Sequence, residues 1–172
     1  RELLEKHHEG LIALSACLAG EVPRALSRGD FEGAKKTALW YDEVFGRGNY
    51  YIEIQNHSLR EELLILPELI RLSKETGIPL VATNDTHYIN KDDAAVQQVL
   101  ICIQTNHILG EETGLEFETQ EFYLKTEEEM RSLFSAVPEA IENTQKIADM
   151  CSLEFEFGKT KLPHFEVPNN MD

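Results

Sequence analysis

The stretch Ile78-Pro-Leu-Val-Ala-Thr-Asn-Asp-Thr-His-Tyr-Ile89 decides the fold. Leu80, Val81 and Ala82 form a short apolar run entered through Pro79, the pattern of a strand buried on both faces. Where that run gives out, Thr83, Asn84, Asp85, Thr86 and His87 bring in hydrogen-bonding and metal-capable groups. Asp85 and His87 are two positions apart, so in an extended backbone both side chains leave on one face. A carboxylate beside an imidazole at a strand end can hold a divalent cation. A capping Asp next to a surface His has the same spacing, so the pair alone does not decide between the two readings.

Working outward, the chain alternates. Arg1 to Glu9 is charged and helix-compatible, and Gly10 ends it. Leu11 to Leu14 reads as a short buried strand, followed at once by Ser15-Ala-Cys-Leu-Ala-Gly20. A short helix is expected from Gly20 to Leu26, with Pro23 in its first turn. Asp30 caps a longer one, Phe31 to Phe45, whose Ala34, Ala38, Tyr41 and Val44 fall at helical spacing. Trp40, Tyr41 and Phe45 read as packing on that helix. Tyr50 to Gln55 is a strand by aromatic and β-branched content, with Tyr51, Glu53 and Gln55 on one face. Glu61 to Thr76 is a helix ended by Gly77, with Pro67 inside it implying a kink or a shorter element. After the opening stretch, Asn90 to Ile103 is a helix whose expected buried face is Ala95, Val96, Val99, Leu100 and Ile103.

Strand and helix in alternation imply parallel strands with helical crossovers. Functional groups on such sheets gather beyond the carboxyl ends of the strands. Three strand ends are visible. They carry Cys17; then Glu53, Gln55 and His57; then Asn84, Asp85 and His87. All three are expected on one rim, and that convergence strengthens the metal reading of Asp85 and His87. On residue type, a free cysteine is usually a small buried residue. His57 reads as a satisfied surface histidine, and Glu53 and Gln55 as groups behind a metal site. His7, His8, His107 and His164 read as surface or linker residues, and Cys102 as core.

Beyond His107 the pattern changes. Residues 110–119 are acidic and loop-like, and Glu121 to Lys125 is a candidate extended segment. The Glu-rich run from Glu111 to Glu129 reads as a solvated face. Thr126 and Glu129 form a capping box that opens a helix to about Phe134. Pro138 starts another to Cys151, with Ala140, Ile141, Thr144, Ile147 and Ala148 inward. Leu153 to Phe157 alternates as a strand does, and residues 158–172 read as a linker.

Composition bounds the answer. A chain of 172 residues, 42% hydrophobic and 27% charged, can build one sizeable core. It has no apolar run long enough to span a bilayer. Three well-separated cysteines do not make a disulfide framework and fit a reducing, cytoplasmic compartment. With 31 acidic and 16 basic residues the net charge is −15, which repels a phosphate backbone. A self-sufficient nucleic-acid-binding module is therefore excluded. The first residue is Arg1, and the chain reads as a piece of a longer protein.

Gly10-Leu-Ile-Ala-Leu-Ser-Ala-Cys-Leu-Ala-Gly20, Tyr51-Ile-Glu-Ile-Gln55 and Val81-Ala-Thr-Asn-Asp-Thr-His-Tyr88 resemble the polymerase-and-histidinol-phosphatase (PHP) domain of bacterial DNA polymerase III alpha subunits. Leu100 to Thr105, Phe122 to Lys125, Phe157 to Lys159 and Leu162 to Phe165 carry the resemblance onward in the same order. It implies an α/β architecture: a partial, distorted, TIM-like β/α barrel, then a mainly helical segment leading to a polymerase palm. On that reading residues 1–107 are the C-terminal half of the PHP barrel, 108–157 a helical connection, and 158–172 a linker.

The resemblance also implies a multinuclear metal cluster (zinc, manganese or magnesium), with Cys17, Asp85 and His87 as the ligand positions present. Glu53, Gln55 and His57 remain candidates behind them. The family's earlier ligands, including an opening H-x-H, and the palm's catalytic aspartates are not in this sequence. The implied chemistry is phosphodiester hydrolysis, which in a polymerase means 3′–5′ proofreading, with Asp85 and His87 as its catalytic members. The implied partners are the rest of the polymerase chain (the first half of the PHP domain, palm and thumb), DNA, and other replisome subunits. The chain alone is expected to hold metal weakly and to hydrolyse little. Two alternatives stay open: a free-standing phosphatase of the PHP superfamily, against which the segment after Ile103 argues, and a non-catalytic scaffold.

Overall fold

The computed structural model of the protein describes residues 1–111, 113–115 and 117–163. The expected linker beyond residue 163, with His164 and Phe165, lies outside the described residues, as do Glu112 and Glu116 of the acidic run. The architecture is α/β. In order the elements are α1 (Glu2–Lys6), β1 (Ala13–Leu14), α2 (Glu21–Ser27), α3 (Phe31–Phe45), β2 (Tyr50–Ile54), α4 (Arg60–Thr76) and β3 (Leu80–Ala82). A 3₁₀ turn at Lys91–Asp93 leads into α5 (Ala94–Thr105), followed by α6 (Glu127–Leu133) and α7 (Glu139–Met150).

The three strands form one parallel sheet in the order β1-β2-β3. Ala13 pairs with Tyr50, and Ile52 and Ile54 pair with Leu80 and Ala82. Parallel strands need crossovers, and α2 with α3 and then α4 supply them. Ile52 and Ile54 are fully buried and Leu80, Val81 and Ala82 nearly so, as expected for strands covered on both faces. The core joins the sheet to Val22 and Leu26 of α2, Ala34 and Ala38 of α3, and Leu69 and Leu72 of α4. Phe134, Val137, Ala140 and Ile141 from the far end of the chain belong to the same core. Buried Asn143 of α7 donates from Nδ2 to the carbonyl of Leu80 at 2.7 Å, tying α7 to β3.

Asp30 caps α3 by accepting from the Gly33 N–H at 2.9 Å, and Gly77 closes α4 in the left-handed region. Both capping-box bonds between Thr126 and Glu129 form at the start of α6. Four expectations are corrected. Pro67 does not shorten α4, which runs through it to Thr76. The missing bond costs about 3 kcal/mol, and burial of Ile65, Leu69 and Leu72 at about 1.5–3 kcal/mol each outweighs it. On α5 the expected buried face is exposed, and Ile101 and Cys102 are buried instead. That helix is apolar on most sides, so its period cannot choose a face. On α7, Thr144 and Ala148 face solvent while Asn143 is buried. Leu153 to Phe157 forms no strand, and Leu153, Phe155 and Phe157 are exposed. Alternation alone does not make a strand where no neighbour offers a ladder.

No helix among the described residues is long and apolar enough to cross a membrane.

Candidate metal centre

The carboxyl ends of β1, β2 and β3 open at one edge of the sheet, because the strands are parallel. Ser15-Ala-Cys-Leu-Ala-Gly20 makes a tight turn there. The Gly20 N–H donates to the Cys17 carbonyl at 2.8 Å, and the Ser15 hydroxyl accepts from the Glu53 N–H at 2.8 Å. A Cβ on Gly20 would meet the Ser15 carbonyl oxygen at 2.3 Å, so only glycine fits. Ala16 is held at φ 65°, a region that costs a non-glycine residue about 1–2 kcal/mol. The turn leaves Cys17 exposed. A cavity of about 20 Å³ beside it is bordered by Cys17, Glu53, Gln55 and Glu62.

Glu53 and Gln55 are engaged with β3. The Thr83 hydroxyl donates to Glu53 Oε1 at 2.5 Å, and Gln55 Nε2 donates to Thr83 Oγ1 at 3.0 Å. This small network fixes the start of the opening stretch's polar half.

Beyond Thr83 the backbone is coil, held by residues 117–125, which fold back along it. Tyr88 and Tyr123 form a parallel bridge, and the His87 N–H donates to the Phe122 carbonyl at 2.8 Å. Asn84 Nδ2 donates to the Tyr123 carbonyl at 2.6 Å. The Lys125 side chain is buried. Its Nζ donates to the Glu121 carbonyl and reaches Asn84 Oδ1 at 3.4 Å. Burial pushes the Lys125 pKa down. Lys91, donating to Glu121 Oε1 at 2.5 Å, holds the Glu121 carboxyl below its usual range.

Asp85 and His87 come together at the end of β3. His87 Nδ1 lies 2.9 Å from the Asp85 carbonyl oxygen and 3.7 Å from Asp85 Oδ1. The shorter contact is the hydrogen bond. A carbonyl can only accept, so Nδ1 carries a proton, and in the neutral imidazole the lone pair then lies on Nε2. Histidines that ligate metals are oriented in this way, by a bond from the other ring nitrogen. The Asp85 carboxylate is exposed beside it. The pair therefore offers two metal-capable donors at one strand end. Zinc takes about four ligands and magnesium about six. Among the described residues no group of three His, Cys, Asp or Glu side chains gathers around one such point. Cys17 stands with Glu53 and Gln55 rather than with Asp85 and His87.

His57 is satisfied, as expected, but it is not on the surface: it is 1% exposed. The reason is Glu62, a buried carboxylate in the first turn of α4. Glu62 accepts from His57 Nδ1 at 2.8 Å and from the His57 N–H at 2.6 Å. The ring of Phe122 stacks on the imidazole at 4.3 Å, and Phe117 packs against both Phe122 and His87. The Asn-His-Ser loop followed by an acid five residues on was the available signal. Phe122, and Thr119, whose hydroxyl donates to the His57 carbonyl at 2.7 Å, carried none, because only the return of residues 117–125 puts them there.

Residues 1–57 match the family model described as the PHP domain. Nearly the whole chain is similar to the DNA polymerase III subunit alpha of Borreliella burgdorferi, at 42% identity over 166 residues, 96% of this chain and 14% of that protein. The corresponding protein of Treponema pallidum is 44% identical over 168 residues, 98% of this chain and 14% of that protein. That of Campylobacter jejuni is 42% identical over 176 residues, 96% and 15% respectively. The chain thus spans about 14% of the length of these relatives.

Proposed function

Because the chain belongs, as a segment, to the family of DNA polymerase III alpha subunits, we propose that it is part of the PHP domain of a replicative DNA polymerase and carries part of a divalent-metal site for phosphodiester hydrolysis. In the parent that reaction is 3′–5′ proofreading beside DNA synthesis. Residues 1–107 complete a β/α barrel with an earlier half, 108–157 connect it onward, and 158–172 lead toward the palm. The working compartment is the cytoplasm. The partners are the rest of the polymerase chain, DNA and other replisome subunits, whose basic surfaces offset this segment's charge of −15.

The observation that carries this reading is the Asp85–His87 pair at the carboxyl edge of a parallel sheet. His87 is oriented by its bond to the Asp85 carbonyl, and among the described residues Nε2 has no hydrogen-bond partner. Asp85 and His87 would hold one zinc, manganese or magnesium ion together with ligands from the other half of the barrel, and Cys17 would serve a neighbouring position. A bound ion supplies an activated water and polarises a phosphate ester. This chain's own contribution is to hold the Asp85 carboxylate and the His87 imidazole at one strand end, steadied by the contacts of residues 117–125. Lacking the remaining ligands, the chain alone holds metal weakly and hydrolyses little.

Asp85→Asn in the full-length polymerase tests the reading. Metal-dependent exonuclease activity is expected to fall by about 100-fold or more, the scale of losing an electrostatic catalytic group, while nucleotide insertion stays within about twofold. Unchanged exonuclease activity, or none in the parent to begin with, leaves the scaffold reading standing.

A further inference from the structure

His57 and Glu62 have no part in the reading above, yet they form a buried ionisable pair beside Asp85. His57 is 1% and Glu62 6% exposed. The carboxylate of Glu62 accepts at both oxygens, from the His57 N–H at 2.6 Å and from Nδ1 at 2.8 Å. Nδ1 therefore carries a proton, and Nε2 is left with its lone pair. That lone pair accepts the Asp85 N–H at 3.3 Å. Both ring nitrogens are thereby taken, so His57 has none left to ligate an ion itself.

The two hydrogen bonds at Asp85 bracket its Cα. Its N–H is held by His57, and its C=O accepts from His87 Nδ1. Fixing the peptide planes on both sides restrains both backbone dihedrals of the residue, and with them the direction of its Cα–Cβ bond, from which the carboxylate hangs. His57 is itself immobilised by the stacked ring of Phe122 and by the Thr119 hydroxyl, which donates to its carbonyl at 2.7 Å. The chain Glu62–His57–Asp85 thus transmits the position of α4's first turn to the end of β3.

We propose that His57, clamped by Glu62, is a positioning residue that sets the Asp85 backbone, and through it the geometry of the Asp85–His87 pair. This rests on the metal reading of that pair. Residues that orient metal ligands typically matter by about 10–100-fold in affinity.

The test uses the full-length polymerase with two substitutions. His57→Asn keeps a donor where Nδ1 stands, toward Glu62, and loses the Nε2 acceptor. His57→Gln keeps an acceptor where Nε2 stands, toward Asp85. Hydrogen exchange of the metal-free protein, read by mass spectrometry on the peptide spanning Asp85, is expected to quicken by about tenfold or more in His57→Asn and to stay near wild type in His57→Gln. Manganese(II) affinity, titrated by electron paramagnetic resonance, is expected to drop by about 10–100-fold in His57→Asn only. Equal exchange in His57→Asn and wild type overturns the proposal. So do equal losses in both variants, which mark a merely structural histidine. Manganese affinity unchanged in His57→Asn overturns it as well, provided Asp85→Asn weakens that affinity. If Asp85→Asn leaves manganese binding unchanged, the metal reading has failed, and the exchange data alone decide whether His57 sets the Asp85 backbone.

Discussion

Ile101 and Ile103 are chemically identical residues two positions apart on α5, and the fold treats them oppositely. Ile101 is 5% exposed and Ile103 72%. Replacing either with alanine removes about three carbons, worth about 0.8 kcal/mol each when buried. At Ile101 that transfer loss is about 2.4 kcal/mol, and the cavity left behind brings the total to about 2–5 kcal/mol. At Ile103 little burial is lost, and alanine's better helix propensity returns about 0.4 kcal/mol, so the net change lies within about 0.5 kcal/mol. Urea unfolding measures both. With a slope of about 2 kcal/mol per molar urea, the midpoint of Ile101→Ala drops by about 1–2.5 M, and that of Ile103→Ala moves by less than about 0.3 M. Equal midpoint shifts would refute the placement of α5, as would a larger shift for Ile103.

Two further outcomes test the tertiary ties. Asn143→Ala strips the buried Leu80 carbonyl of its donor. It should cost about 1–3 kcal/mol, and calorimetry should show a melting temperature lower by about 2–4 °C per kcal/mol. Glu121→Gln should weaken the protein at neutral pH. Hydrogen bonding and charge from Lys91 hold the Glu121 pKa below its unfolded value of 4.5, so its contribution is complete above that value. It is lost as pH falls through the lower folded value. The stability gap between wild type and variant, followed by urea midpoints across acid pH, should therefore close in acid; a gap that persists there removes Glu121 from the pairing.

Helix α3, whose Ala34 and Ala38 fall on one buried stripe, was legible from its spacing, as was the strand at Leu80–Ala82 from its unbroken apolar run. The capping box at Thr126 was legible too, since it is a local arrangement that needs no distant partner. The parallel order of the sheet followed from alternation alone. Asp85 and His87 stand out in the sequence because the end of a buried strand is visible as a switch from apolar to polar residues.

What the sequence could not carry was anything requiring a choice between equivalent faces or a long-range partner. The buried side of α5 depends on which of several apolar stripes a neighbour covers. The fate of Leu153 to Phe157 depends on whether a strand lies beside it. The burial of His57 depends on Glu62, Thr119 and Phe122, the last of these 65 positions away in the chain. By itself the sequence determined the alternating α/β order and the strand-end residues, because both are written in local period and polarity. Tertiary structure alone decided that the Asp85 backbone is gripped by a buried histidine, because three separate segments must meet before that hydrogen bond exists.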